Sequence, residues 1–292
     1  MKRATLIVNP FASAVTEDRL AAVEAALAGV DLDVQLTERP EHATQLARGV
    51  RDVDALLVYG GDGLLNEALN GADGSVPVGV LPGGRTNVVV RALGLPSEPV
   101  AAARRLVEAA PRRISLGRVN GRRFAFAAGI GFDAELVRRV DERGRRADGW
   151  RPGDLTFAWE AAKLLAGRRA RYEPVLEVEG LGRAGFALIA NTDPYTYVGG
   201  RPLHVAPAAR FELGLDLVAP RRVGPATLPR LLRYAATGRG QEDDPRLIYA
   251  QDVDRIVVRC DRPLALQVDG EDLGDVSEAV FEAERDGLSL LA

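Results

Sequence analysis

The chain has 292 residues, 47% of them hydrophobic, which is enough for the cores of two domains. A net charge of −3 argues against a general nucleic-acid-binding protein, and a single cysteine excludes an intrachain disulfide and fits a reducing compartment. The two histidines lie far apart in the sequence, which argues against a zinc cluster or a Ser-His-Asp triad. Asn9 and Pro10 cut short the N-terminal apolar run, and no other stretch is long enough to span a bilayer. We therefore expect a cytoplasmic protein without a transmembrane segment.

The first 50 residues alternate between strand and helix patterns. Residues 5–8 and 32–36 predict strands, while residues 17–27 and 43–50 follow helical spacing. This alternation is the signature of a parallel sheet with crossover helices. Asn9 follows the first strand, at the edge where open α/β sheets bind ligands, so it is either a nucleotide contact or part of a simple turn.

The sequence is organised around one unit of strand, glycine loop and helix. Residues 56–59 are apolar strand formers, residues 60–63 read Gly-Gly-Asp-Gly, and a helical pattern follows. Glycine lets backbone N–H groups approach an anion, and the N-terminus of a helix favours negative charge. The pattern indicates a phosphate site in which Asp62 requires either Mg²⁺ between its carboxylate and the phosphate or a hydroxyl to deprotonate. A purely structural turn is the alternative.

A second glycine loop follows the short predicted strand over residues 78–81. It reads Pro-Gly-Gly-Arg-Thr-Asn over residues 82–87 and leads into another helical pattern. Two such loops at neighbouring strand ends predict that an anion is held from both sides.

The sequence changes character after residue 106. Residues 112–127 predict two strands joined at Asn120 and Gly121, a strong hairpin signal. A helix is predicted to begin at Phe132, where Asp133 could serve as a cap. Antiparallel strands are then predicted, with one helix over residues 228–236 among them. The predicted strands cover residues 175–178, 186–190, 215–218, 255–259, 264–268, 279–284 and 288–291.

The polar, arginine-rich residues 141–151 are predicted to be mobile, and a helix over residues 155–166 follows them. We interpret the apolar face of this helix, which includes Trp159, as core. The alternative is a membrane-facing patch formed by Trp150, Trp159 and the arginines of residues 168–171.

Four blocks of the sequence resemble the catalytic domain shared by diacylglycerol kinases, sphingosine kinases and bacterial lipid kinases. In chain order they are residues 60–71, residues 82–87, residues 129–134 and residues 268–271. The resemblance implies two-domain α/β plus all-β architecture. A parallel-sheet α/β nucleotide domain, like those of NAD kinase and phosphofructokinase, would span residues 1–112, and an antiparallel β-sandwich that binds lipid would span residues 113–283. Residues 284–292 would return to the first domain.

The same resemblance implies an ATP-dependent lipid kinase that transfers the γ-phosphoryl group to a lipid hydroxyl at the inner face of the membrane. Diacylglycerol or a related glycerolipid is the expected acceptor. Glu271 is implied as the general base, with Asp62 as second choice, and Asp133 as the residue that orients the acceptor. We assign Mg²⁺ to Asp62. We assign ATP to Asn9, Gly60, Gly61, Asp62, Gly63, Glu67, Gly83, Gly84, Arg85, Thr86, Asn87, Asp269 and Glu271.

Three positions depart from the family pattern. Leu64 and Arg85 stand where the pattern has threonine, and Val88 where it has aspartate. Because backbone amides survive side-chain changes, these departures threaten catalysis more than nucleotide binding. Two alternatives stay open: a kinase of a soluble acceptor, since NAD kinases share a similar glycine loop, and a non-catalytic nucleotide or lipid binder. The oligomeric state also stays open, with a homodimer among the options.

Overall fold

A computed structural model describes residues 1–146, 154–167, 171–198 and 200–292. It contains two compact units. The first unit is Met1–Leu116 together with Glu284–Ala292, and the second is Gly117–Ala283. The chain enters the second unit within one strand and returns to the first within its final strand.

The first unit is a parallel sheet with crossover helices, which confirms the predicted α/β fold. Its strands follow the order β4-β3-β1-β2. The end of the final strand, β16 (Glu271–Leu291), pairs in parallel with β4 through Leu290 and Val78. The other elements are β1 (Arg3–Val8), α1 (Glu17–Ala26), β2 (Asp31–Leu36), α2 (His42–Gly49), β3 (Ala55–Gly60), α3 (Asp62–Gly71), β4 (Val78–Pro82), α4 (Val88–Ala92), α5 (Pro99–Glu108) and the beginning of β5 (Pro111–Val119).

Strands β3 and β4 are buried along their whole length. Every residue of both strands is buried, as expected for a parallel sheet covered on both faces. Helix α3 buries Leu65 and Leu69. This packing fixes the carboxyl ends of β3 and β4, from which the two glycine loops emerge.

The second unit is rich in antiparallel strands, as predicted. Strands β14, β13, β10, β7, β15 and the first part of β16 lie side by side in that order. Its elements are β6 (Arg122–Phe124), β7 (Ala127–Ile130), α6 (Phe132–Arg146), α7 (Asp154–Gly167), β8 (Leu176–Val178), β9 (Gly182–Ala184), β10 (Ala187–Ala190), β11 (Thr196–Val198), β12 (Arg201–Leu203), β13 (Leu215–Pro220), α8 (Leu228–Thr237), β14 (Leu247–Val253) and β15 (Arg255–Val268).

In two places, two strands that the sequence predicts as separate form one continuous strand. Residues 255–268 form β15 without a break, although its register against β16 shifts between Arg259 and Leu264. Likewise β16 runs over 21 residues, through the gap predicted between residues 284 and 288. In β15 the register irregularity absorbs the polar residues that the sequence pattern treats as a loop.

The helices of the second unit correct two further predictions. Helix α6 continues to Arg146, so residues 141–146 are helical, whereas residues 147–151 of the predicted mobile stretch lie outside the described residues. Trp159 on α7 is 57% exposed, so its assignment to the core is wrong. Trp150 and residues 168–170 of the alternative patch also lie outside the described residues.

Candidate active site

The first glycine loop joins β3 directly to α3. Gly61 caps the helix in an extended conformation, and Asp62 begins it. The first N–H groups of a helix have no partner within that helix, and its positive end favours an anion. The loop therefore presents backbone donors where the sequence predicts phosphates.

The second glycine loop packs directly on the first. The N–H of Gly83 donates to the carbonyl of Gly60 over 2.7 Å. A Cβ added to Gly83 would lie 2.8 Å from the Cα of Gly60, and one added to Gly84 would lie 2.6 Å from the Cα of Gly61. Real Cβ atoms do not tolerate such distances, so glycine is required for the two backbones to approach this closely.

Asn87 closes the second loop. It adopts a left-handed conformation with φ of 47°. Its Oδ1 accepts from the N–H of Gly84 at 2.9 Å, and its Nδ2 donates to the Gly84 carbonyl at 2.8 Å. Of the two residues between Gly84 and Asn87, Arg85 is exposed and Thr86 is half-buried. The Asn87 side chain therefore shapes the loop, and the two intervening side chains border it.

Asp62 is half-buried at the start of α3, and its Oδ1 accepts a long hydrogen bond of 3.5 Å from the N–H of Val89. In the described part of the chain, no three His, Cys, Asp or Glu side chains cluster as a metal ion requires. Mg²⁺ in kinases often uses one or two carboxylates and takes its other ligands from water and substrate phosphates. A single carboxylate beside the predicted phosphate site fits that pattern.

Two further predicted nucleotide contacts have local structural partners. The Oδ1 of Asn9 accepts from the N–H of Phe11 at 2.9 Å, as in an Asx turn. The Oε2 of Glu67 accepts from the N–H of Ala43 at 3.2 Å, at the beginning of α2. The simple-turn interpretation of Asn9 thus has direct support, and Glu67 stabilises the N-terminus of a neighbouring helix.

Asp133 in the second unit has side-chain partners rather than a capping role. Its Oδ2 accepts from the Nε2 of Gln267 at 2.6 Å and from the hydroxyl of Tyr195 at 2.8 Å. Burial raises the pKa of Asp133, and these two hydrogen bonds partly oppose that rise.

Asp269 and Gly270 form the tight turn between β15 and β16. Both have positive φ, of 48° and 82°, as a two-residue hairpin turn of type I′ requires. The Oδ2 of Asp269 accepts from the N–H of Ala125, and its Oδ1 accepts from those of Phe126 and Ala127, over 2.7 to 3.1 Å. The carboxylate of Asp269 therefore fixes the turn that carries Glu271.

Glu271 lies immediately after that turn and is paired with a cation. Its Oε2 accepts from the Nη2 of Arg122 on β6 at 2.8 Å, and the Glu271 side chain is 45% exposed. The predicted site residues thus form a glycine-rich group with Asp62 in the first unit and an acidic group in the second.

Sequence reasoning missed the partners of these acids, namely Tyr195, Gln267 and Arg122. For one of these partners, the sequence itself contains an indication that it is hydrogen-bonded. Gln267 is a polar residue within the apolar run of β15 and is 2% exposed, and a buried amide in a strand must be hydrogen-bonded.

Comparison with known proteins decides the family. The family model of the diacylglycerol kinase catalytic domain matches residues 3–119. A diacylglycerol kinase of Bacillus subtilis (strain 168) is 30% identical over 281 residues, which cover 93% of this chain and 90% of that protein. This chain belongs to the diacylglycerol kinase family.

Solved structures agree with this diacylglycerol kinase fold. A diacylglycerol kinase from Bacillus anthracis str. Sterne has a TM-score of 0.73 at 19% identity and covers 99% of this chain and 96% of its own. An NAD kinase from Archaeoglobus fulgidus in complex with ATP has a TM-score of 0.53 at 14% identity, covering 99% of this chain and 93% of its own. At these identities the likeness concerns the fold alone.

The departures from the diacylglycerol kinase pattern have visible packing consequences. Leu64 is 6% exposed, and its side chain lies where a Cβ on Gly60 would be, with Cδ2 at 2.6 Å. Val88 is 2% exposed at the start of α4. Leu64 therefore packs directly against Gly60 of the first glycine loop, and Val88 is a buried apolar residue of α4. No helix in the described ranges combines the length and apolar character needed to cross a bilayer.

Proposed function

We propose that this diacylglycerol kinase family member is an ATP-dependent lipid kinase that transfers the γ-phosphoryl group of ATP to the hydroxyl of diacylglycerol or a related glycerolipid. One observation carries the nucleotide half of the proposal. Gly83 and Gly84 lie against Gly60 and Gly61 without room for a Cβ, at the N-terminus of α3. Such an arrangement aims backbone donors and a helix dipole at one anion.

The first unit would bind ATP with Mg²⁺. The amides of residues 60–63 and 83–86 would hold the phosphates, and Arg85, being exposed, would add a charge-assisted contact. Asp62 would hold Mg²⁺, which when bound neutralises charge on the transferring phosphoryl group. The backbone carries this binding, so Leu64 and Val88 do not remove it.

The second unit would supply the acids that act on the acceptor. During transfer, the acceptor oxygen forms a bond to the γ-phosphorus while the bond from that phosphorus to the bridging oxygen of ADP breaks. The hydroxyl proton would pass to a carboxylate, for which Glu271 is the first candidate and Asp62 the second, while Asp133 would orient the acceptor. Because a diacylglycerol is held in a bilayer, we propose that the protein acts at a membrane surface.

Transfer of radioactive label tests the function. Purified protein is incubated with γ-labelled ATP, Mg²⁺ and mixed micelles that contain diacylglycerol or a long-chain base, and in parallel with NAD. We expect label in the organic phase, greatest with diacylglycerol, and none when Mg²⁺ is omitted. Label in NAD would instead identify a kinase of a soluble acceptor. Tight ATP binding without transfer would identify a non-catalytic binder.

A further inference from the structure

We propose that α8 and the residues beside it form the face by which the second unit docks on an anionic lipid membrane. We call this face the α8 patch and define it by six exposed residues, Pro225, Pro229, Leu232, Arg233, Ala236 and Arg239. The inference rests on the proposed function, because a kinase of diacylglycerol has to meet a bilayer. It adds which surface meets the bilayer and why that surface prefers anionic lipid.

The outward face of α8 is largely apolar although it is exposed to water. Pro229, Leu232 and Ala236 recur at helical spacing on this face, and Leu232 is 58% exposed. Arg233 and Thr237 are the polar residues exposed within the helix. A solvated helix face ordinarily carries charged and polar side chains, whereas here a leucine and small apolar residues occupy its middle.

Packing within the second unit accounts for the opposite face of α8. Leu231 packs against a small apolar cluster that includes Tyr172 and Val223. Tyr234 is buried, and its hydroxyl donates to the Oδ2 of Asp244 at 3.1 Å. The inner face therefore fixes the helix to the second unit, and the apolar outward face remains exposed.

The charge of the segment around α8 has one sign. Residues 217–241 contain five arginines and no aspartate or glutamate, although the whole chain carries 41 acids in 292 residues. Among the described residues, no carboxylate pairs with the exposed Arg233 or Arg239. The other three arginines bond to a carbonyl or a carboxylate of the protein. Two guanidinium groups beside the apolar face are thus free to bind an external anion.

An anionic bilayer matches both properties of the α8 patch. A helix with an apolar face and basic flanks lies in the membrane interface, with its apolar side chains at the acyl boundary and its cations near lipid phosphates. A nucleic acid would match the arginines but not the exposed leucine. An apolar groove on a protein would match the leucine but leave the arginines without partners. One large apolar side chain and two cations predict weak, reversible docking.

Short hydrogen bonds connect α8 to the acid predicted to orient the acceptor. The N–H of His204 donates to the carbonyl of Ala235 in α8 at 2.7 Å. The N–H of Tyr195 donates to the carbonyl of Leu203 at 2.9 Å, and its hydroxyl donates to the Oδ2 of Asp133 at 2.8 Å. Docking through the α8 patch therefore holds the acceptor side of the second unit close to the lipid surface.

Vesicle sedimentation without ATP tests the docking. Purified protein is mixed with vesicles of phosphatidylcholine alone or of phosphatidylcholine with phosphatidylglycerol, and the wild type should bind the anionic vesicles more tightly. Leu232→Ser should weaken this binding about tenfold. Arg239→Gln should weaken it about fivefold. Leu36→Ser and Arg255→Gln, at an exposed leucine of β2 and an exposed arginine of β15, are the matched controls and should bind like the wild type.

Activity on two forms of the lipid separates docking from chemistry. With diacylglycerol in anionic vesicles, Leu232→Ser should lower kcat/KM for the lipid in proportion to its loss of vesicle binding. With a short-chain diacylglycerol dissolved below its critical micelle concentration, the same variant should match the wild type, because no membrane has to be bound. The KM for ATP should not change in either assay.

Each outcome has a defined meaning. Weaker binding to anionic vesicles in both patch variants and in neither control supports the inference. A wild type that does not distinguish the two vesicles, or a Leu232→Ser protein that binds them like the wild type, overturns it. Equal loss of activity on the dissolved substrate also overturns it, since that is the result of a structural role.

Two further results separate this inference from its alternatives. A wild-type dimer that Leu232→Ser dissociates in analytical ultracentrifugation would assign the α8 patch to a second copy of the chain and overturn membrane docking. A wild type that binds anionic vesicles through the patch but labels no lipid would support the docking and overturn the proposed function.

Discussion

Asp216 is a carboxylate placed inside the second unit, where only 1% of the residue is exposed. Its Oδ1 accepts from the N–H of Asp252 at 2.9 Å, while Oδ2 is buried without a partner among the described residues. Burial raises the pKa of Asp216 to about 6, against an ordinary value of 3.8, and the charge of Asp252 adds to the rise. Ionisation of this group is therefore costly to the folded protein.

Replacing Asp216 by Asn should stabilise the protein at neutral pH. The folded pKa lies above the unfolded one, so the stability that protonated Asp216 contributes is present below about pH 4 and is lost as the pH rises to about 6. Since each pH unit is worth about 1.4 kcal/mol, the Asn variant should gain up to about 3 kcal/mol over wild type between pH 4 and pH 8.

Urea unfolding at pH 4, 6 and 8, with EDTA present, measures this gain. Asp243→Asn, an exposed change of the same kind in the same unit, reports the effect of charge removal alone. A difference between Asp216→Asn and wild type that does not grow with pH would contradict the prediction.

At the residue scale, the sequence identifies acids but not their partners. Asp133 and Glu271 stand out through family motifs, whereas the bonds of Asp133 to Tyr195 and Gln267 span 62 and 134 residues. No local pattern encodes contacts of that separation. The polar Gln267 within the apolar run of β15 is the one sign of a buried hydrogen-bonded cluster that the sequence offers.

At the element scale, the contact between the two glycine loops leads to a direct test. Gly84→Ala would place a Cβ 2.6 Å from the Cα of Gly61, so one loop must move away from the other. We expect ATP affinity to fall at least about tenfold, or 1.4 kcal/mol, because the amides of both loops no longer converge.

Isothermal titration with ATP and Mg²⁺ measures this loss. Gly49→Ala at the end of α2 is the matched control, since a Cβ there meets nothing within 4 Å. Both variants should keep the far-ultraviolet circular dichroism of the wild type. Unchanged ATP affinity in a folded Gly84→Ala protein would show that close contact of the loops is not needed for binding.

The elements themselves differ in how far the sequence predicts them. The β3 to α3 unit follows from an apolar run, glycines and helical spacing, which all act locally. The extension of α6 to Arg146 escapes prediction because a polar, arginine-rich composition resembles a loop. Trp159 on α7 is misplaced because periodicity identifies a helix but not which side of it meets the core.

At the scale of the whole molecule, the first unit is built from two distant parts of the chain. Leu288, Leu290 and Leu291 in the last part of β16 are buried, and Leu290 pairs with Val78 of β4. We expect Leu290→Ala to destabilise the first unit by about 2–4 kcal/mol, the usual cost of a cavity in a core.

Thermal unfolding with and without ATP checks this prediction. Leu290→Ala should lower the unfolding midpoint, and a saturating nucleotide should recover part of the loss by binding the folded state. Ser289→Ala, between two buried leucines but itself only half-buried, is the control. An equally stable Leu290→Ala protein would mean that the C-terminal strand contributes little to the first unit.

The return of β16 has a consequence for biosynthesis. A ribosome delivers the N-terminal 116 residues long before it delivers residues 284–292, yet these last residues complete the sheet edge at Val78. Domains commonly fold in the order of their synthesis. Here residues 1–116 are made first but cannot complete their sheet before residues 284–292 are made. Until residues 284–292 are made, the strand edge of β4 stays open to aggregation or to chaperones, so a chain that stops short of residue 284 would lack the strand that completes the first unit.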